Sequence, residues 1–174
     1  MLMKYFCGVD NGVSGSFALL DELGEVKFFV KTPTFKEQNY TKEKYIVNRV
    51  DTKKLFEILK PYIGKEVKIL LERPLVNNSF FSSTCSAMRS LEATLIVLEK
   101  LKFSYEFLDS TEWQNELLPE YWEGQLVEKK ILKVASLEIG KKLYPQVNFN
   151  GFKDADGLLI AHYCKQKYLN KEGK

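Results

Sequence analysis

Asp10, Glu72, Asp154 and Asp156 are the side chains of this sequence whose types and spacing point most directly to chemistry. Oxygen ligands with no histidine or cysteine beside them select hard cations such as Mg²⁺, with Mn²⁺ as a substitute, over zinc. Two such ions about 3.5–4 Å apart activate a water and stabilise the leaving oxygen in an in-line attack on a phosphodiester. Clustered carboxylates repel one another unless cations bind, so a real cluster is difficult to explain by structure alone. Singly, each acid has an ordinary reading: Asp10 as a turn-former, Asp154 or Asp156 as a helix N-cap, Glu72 as a surface charge. Glu72 fits its ordinary reading least, because neither exposure nor turn chemistry calls for an acid that ends an apolar strand before Arg73-Pro74.

Three elements far apart in the chain must deliver these groups. Asp10 closes the strand-like run 3–9, and Asn11-Gly12-Val13-Ser14-Gly15 follows as a turn. Glu72 ends Val67-Lys68-Ile69-Leu70-Leu71, with Pro74 stopping the pairing. Asp154 and Asp156 begin an amphipathic helical stretch running to about Tyr168. Strands are expected at 4–10, 16–21 and 25–31, the last two joined by the tight link Asp21-Glu22-Leu23-Gly24. Residues 32–50 show no clear period and read as a long loop; Asp51 then caps a helix to about Tyr62. Leu75–Phe81 reads as an exposed loop, and the helix from Ser83 to Lys102 is apolar over more than one face, so it is either buried on two sides or forms an interface. A strand at 103–108, a helical turn region at 111–118, a basic helix at 126–143 and the final helix complete the chain. This order predicts an α/β fold with a mixed five-stranded sheet, helices on both faces, and Asp10 and Glu72 at the ends of neighbouring central strands.

At 174 residues and 45% hydrophobic content, one domain spanning 1–174 is expected. No run approaches a membrane span and no secretory leader is visible, so a soluble cytoplasmic protein is expected. Cys7, Cys85 and Cys164 are widely spaced in apolar surroundings, as reduced buried thiols are. The net charge of +3 conceals segregation: residues 31–68 and 126–174 each carry ten Lys/Arg against five Asp/Glu, whereas 103–125 has six acids and no Lys or Arg. Sharing one face, the two basic segments would make a phosphate-binding surface; apart, they are solvated faces.

Three segments carry a family resemblance. Gly8-Val9-Asp10-Asn11-Gly12 with Gly15-Ser16, Leu70-Leu71-Glu72-Arg73-Pro74, and Asp154-Ala155-Asp156-Gly157-Leu158-Leu159-Ile160-Ala161 together resemble RuvC-type Holliday junction resolvases of the RNase H-like superfamily, particularly bacteriophage forms. Order and spacing agree across nearly the whole chain. The family's closing motif usually has two aspartates three positions apart; the second maps onto Asp156, and the first onto Lys153, so Asp154 is the substitute, directly or through water. The resemblance implies a homodimer that holds a four-way DNA junction and nicks two strands using Mg²⁺, two ions per site, leaving 5′-phosphate and 3′-hydroxyl ends. It further implies that the helix after the glutamate strand builds the dimer, and that Phe80 or Phe81 stacks on bases at the junction. Lys129, Lys130, Lys133 and Lys153 are similar to the family's phosphate-contacting lysines, and Lys153 would stabilise charge on the phosphate. His162, inside the last helix, reads as structural. A phage-encoded member would act in the bacterial cytoplasm.

Other classes share parts of this pattern. Actin-like ATPases and sugar kinases also place an aspartate before a glycine turn, but the chain is too short for their duplicated fold and has no further phosphate-loop signal. A noncatalytic binding module on the same scaffold would be expected to lose an acid. Nucleases that process structured RNA share the fold and similar acids, and remain a competing reading.

Overall fold

The computed structural model describes residues 3–39, 42–121 and 128–172. Strands β1 (Lys4–Asp10), β2 (Ser16–Asp21) and β3 (Val26–Lys31) form an antiparallel meander. The expected tight turn between β2 and β3 is present. The buried Asp21 carboxylate accepts the Glu25 N–H at 2.9 Å and holds the Lys27 ammonium at 2.7 Å, while Gly24 takes φ +89°.

Residues 32–50 depart from the expected loop. They form an antiparallel ribbon of β4 (Thr34–Gln38) and β5 (Ile46–Val50), separate from the main sheet. Seven of its ten strand residues are exposed, so neither face is selected to be apolar and no period of two appears in the residue types.

Asp51 caps α1 (Thr52–Leu59) as expected, accepting the Lys54 N–H at 3.0 Å. Strand β6 (Glu66–Glu72) runs parallel to β1, and β7 (Glu106–Leu108) parallel to β6. The sheet order is therefore β3-β2-β1-β6-β7. Strand β7 is shorter than the expected 103–108 because Phe103 is still part of the turn closing the preceding helix, donating its N–H to Leu98.

Helix α2 (Phe81–Lys100) joins β6 to β7; α3 (Ser110–Leu117), α4 (Lys129–Leu143) and α5 (Asp156–Glu172) follow. Of the expected helix 126–143, the first two residues lie outside the described part. Strand alternation sorts the core into two layers. Cys7, Val9, Phe17, Leu19, Ile69 and Leu71 pack with residues of α1 and α2, whereas Phe6, Ala18, Leu20 and Leu70 pack with α3, α4 and α5. The mixed five-stranded sheet with helices on both faces is as expected.

The apolar width of α2 divides between two sides. Ser90, Leu91, Thr94, Val97 and Leu98 are buried, while Met88 and Ile96 face outward. Cys7, Cys85 and Cys164 are free, with Cys7 and Cys164 buried and Cys85 half-buried. No helix among the described residues is long and apolar enough to cross a membrane.

Contact between α5 and the sheet depends on two glycines. A Cβ on Gly8 would lie 2.2 Å from the Ala161 nitrogen and 2.3 Å from the Gly157 oxygen, and one on Gly157 would lie 2.6 Å from the Ser16 oxygen. Backbone therefore approaches backbone closely where α5 crosses β1 and β2, which brings the start of the helix to the end of β1.

Candidate active site

The parallel register sets Val9 beside Leu71, so the next residues, Asp10 and Glu72, emerge from adjacent strand ends. Their carboxyl groups lie close enough for the Glu72 charge to raise the Asp10 pKa. Asp154 and Asp156 arrive from the opposite direction, carried by α5. Helix α5 opens at Asp156, and Asp154 lies just before it rather than in its first turn, with Ala155 accepting the first helical bond from Leu159. One carboxylate oxygen each from Asp10, Asp154 and Asp156 lie within 4.8 Å of one another. Asp10, Asp154 and Asp156 thus meet at one corner, and Glu72 stands beside Asp10 on the adjacent strand end, outside that triad of oxygens.

Neighbouring side chains fix the acids. The Trp113 indole, fully buried in α3, donates to Glu72 Oε1 at 3.3 Å. Ser136 Oγ on α4 donates a short bond to Asp156 and accepts the Ala155 N–H at 3.0 Å. Ser16 Oγ accepts the Gly157 N–H at 3.1 Å. Lys133 Nζ lies 2.6 Å from Asp154 Oδ2, and the Asp154 side chain is only 8% exposed. Trp113 and Ser136 were not singled out in the sequence, and Ser16 was named only within the motif that follows the Asp10 turn. For Trp113 a signal existed, because a buried indole needs an acceptor for its N–H. A serine within an ordinary amphipathic helix offers none.

Burial raises the Asp10 carboxyl well above its ordinary range, and Glu72, Asp156 and Asp154 raise it further against the opposing charge of Lys133. Burial also raises Glu72, although the bonds from Trp113 and Asp10 pull the other way. Asp156 is pushed up to about 7, first by burial and then by the Asp154 charge. For Lys133, burial favours the neutral amine, but the bond to Asp154 and the surrounding acids outweigh it and the pKa rises. Without a cation, the cluster therefore holds protons up to near-neutral pH, as expected of carboxylates crowded together in a low-dielectric corner.

No family model and no curated protein matches the chain. Among solved structures, Thermus thermophilus RuvC in complex with a Holliday junction substrate aligns over 99% of this chain and 97% of that one, with TM-score 0.53 and 11% identity. A second T. thermophilus RuvC structure aligns over 98% and 96%, with TM-score 0.48 and 12% identity. The fold is RuvC-like, of the RNase H type.

On this RuvC-like frame, the side chains proposed to meet nucleic acid lie at several places. Phe80 and Phe81 are 65% and 75% exposed at the start of α2. The same end of α2 is tied to the Asp10 turn by a 3.2 Å bond from Asn11 Nδ2 to the Ala87 carbonyl. Lys133 is at the carboxylates, Lys153 is exposed directly before Asp154, and Lys130 is exposed on α4. The Lys129 side chain is outside the described set. Lys31, at the end of β3, lies over the Phe152 ring at 5.5 Å, so the two basic segments meet near this corner. His162 Nδ1 is 2.7 Å from the Tyr144 hydroxyl, the structural setting expected for it.

Proposed function

We propose that this chain, acting as one nuclease domain, is a structure-selective endodeoxyribonuclease that resolves four-way (Holliday) junctions and other branched DNA. Paired, Mg²⁺-dependent phosphodiester hydrolysis would leave 5′-phosphate and 3′-hydroxyl ends. The observation that carries this reading is the convergence of Asp10, Asp154 and Asp156 onto one half-buried corner, with Glu72 on the strand end beside Asp10.

The donor set fits a hard divalent cation. Oxygens bound to a single Mg²⁺ at about 2.1 Å lie at most about 4.2 Å apart, so the observed spacing of up to 4.8 Å needs only a small contraction. Bound there, one or two Mg²⁺ or Mn²⁺ ions would supply an activated water and stabilise the leaving oxygen. The chain's own groups set the geometry. Trp113 fixes Glu72, Ser136 fixes Asp156, and Lys133 neutralises part of the charge on Asp154 within reach of an incoming phosphate.

Branched DNA as the substrate is supported by the junction complex of the similarly folded T. thermophilus protein. It is also supported by exposed Phe80 and Phe81 beyond the glutamate strand, offering faces on which unpaired bases would stack. Lys129, Lys130 and Lys153 would contact phosphates. Paired cutting requires two sites, and the outward Met88 and Ile96 of α2 suit a homodimer. A phage-encoded enzyme of this kind would work in the cytoplasm of its bacterial host.

The test is cleavage of a synthetic four-way junction beside matched linear duplex and structured RNA, in Mg²⁺ and in EDTA. Paired nicking of the junction is expected, lost in EDTA and reduced by at least about 10³-fold in Glu72→Gln, with junction binding retained. Equal cutting of linear duplex or of RNA would overturn the assignment, and a monomeric mass at micromolar concentration would overturn paired cleavage.

A further inference from the structure

Beyond Val50, which joins the core, the β4–β5 ribbon serves neither the core nor the carboxylate corner. A two-stranded ribbon is marginal in water by itself, and this one buries only Val50 among its strand residues. Packing therefore constrains its side chains little. The register pairs Phe35 with Arg49, Lys36 with Asn48 and Glu37 with Val47. Alternation places Phe35, Glu37, Val47 and Arg49 on one face and Thr34, Lys36, Gln38, Ile46, Asn48 and Val50 on the other.

The first face is closed on itself. Arg49 pairs with Glu37, and its guanidinium lies 5.7 Å from the centre of the Phe35 ring. The second face starts from buried Val50 at its base and then presents Lys36, Gln38, Asn48 and the apolar Ile46, all exposed. It offers one cation and two carboxamides that each donate and accept hydrogen bonds. From 31 to 50 the chain has five Lys/Arg against two Asp/Glu, and Arg49 already occupies Glu37.

The base of the ribbon is clamped beside the acids. Lys31 pairs with Ser16, and Ser16 pairs with Asp10, which puts the Lys31 and Asp10 backbones about 10 Å apart. The Thr32 N–H bonds the Gly15 carbonyl at 2.9 Å, the Asp51 N–H bonds the Pro33 carbonyl at 2.8 Å, and β5 packs on α2. From this base, five residues per strand extend about 17 Å. The major groove of B-DNA, about 12 Å wide, admits a two-stranded ribbon, and Asn, Gln and Lys are side chains that read base edges there.

We propose that the β4–β5 ribbon lies in the major groove of a duplex arm flanking the scissile phosphate, with Lys36, Gln38 and Asn48 toward the base edges and Lys42 and Lys44 of its turn toward the backbone. The proposal rests on the nuclease reading above and adds sequence preference at a fixed distance from the cut.

The test uses a synthetic four-way junction in Ca²⁺ without Mg²⁺, with affinity read by fluorescence anisotropy over a range of salt. Lys42→Ala/Lys44→Ala is expected to weaken binding at least tenfold and to reduce the slope of log K against log salt by about 2, near one unit per lost phosphate contact. Lys42→Arg/Lys44→Arg should retain the wild-type slope. Gln38→Ala/Asn48→Ala should keep the salt slope but flatten the base preference when junctions with randomised arms are cut in Mg²⁺. Wild-type protein that neither binds nor cuts the junction would remove the nuclease reading and this proposal with it. Wild-type protein that does both, with variants unchanged in affinity, slope and base preference, would overturn the ribbon's role alone. Variants that change only the oligomeric mass would make the ribbon a protein contact and likewise overturn it.

Discussion

At the carboxylate corner, backbone meets backbone so closely that Gly8 and Gly157 have no room for a Cβ, and the functional groups are held by partners on other elements. A few residues away, the β4–β5 ribbon presents most of its side chains to solvent and is fixed only at its base. The corner gathers like charges that would otherwise separate, and so needs a rigid surround. The ribbon carries an excess of positive charge with little packing, which suits a surface completed by another molecule.

Substitutions in the two regions should separate most in stability. Gly8→Ala drives a methyl into the α5 backbone and should cost upwards of about 3 kcal/mol, since neither Ala161 nor Gly157 offers a flexible side chain to move. Asn48→Ala in the ribbon should change stability by less than about 0.5 kcal/mol. Urea denaturation of both variants checks this, and equal losses would erase the contrast.

Much of the corner was legible in the sequence, for a physical reason. Asp10 and Glu72 end apolar runs, and a charge at such a boundary signals that a strand has reached an edge where something polar waits. Asp154 and Asp156 stand out because they precede a long apolar helical run. The role of Ser136 was not legible and Trp113 signalled only that its indole needs an acceptor, since which acid each holds arises from how α3 and α4 pack over the acids. The ribbon was hidden for the opposite reason. With both faces largely in water, its strands carry no apolar alternation, and Lys36, Gln38 and Asn48 look like loop residues until the register aligns them.

A smaller effect concerns pH. A carboxyl whose pKa is higher in the folded chain than in the unfolded one binds its proton more tightly when folded. The metal-free protein therefore loses stability as pH rises from the ordinary aspartate value of 3.8 through about 7. Asp156→Asn removes that loss and should stabilise the metal-free protein by about 2–4 kcal/mol at pH 8, with the advantage fading toward pH 4. Mg²⁺ should raise the melting temperature of the wild type at pH 8 and that of Asp156→Asn much less. Identical pH profiles for the two proteins would mean that the Asp156 charge is not strained by its setting. Ribbon substitutions should leave the pH profile unaltered.

The smallest effect bears on how the corner holds its acids. Ser136→Ala deletes the hydroxyl that donates to Asp156 and accepts from the Ala155 N–H. Leaving that buried N–H without a partner should cost about 1–2 kcal/mol at any pH. The lost donor adds a pH-dependent part, because the ionised Asp156 carboxylate is the form that the hydroxyl stabilises and its removal raises the Asp156 pKa further. Metal-free Ser136→Ala should thus be destabilised more at pH 8 than at pH 4. An equal loss at both values would reduce Ser136 to a partner for Ala155 and leave Asp156 positioned by α5 alone.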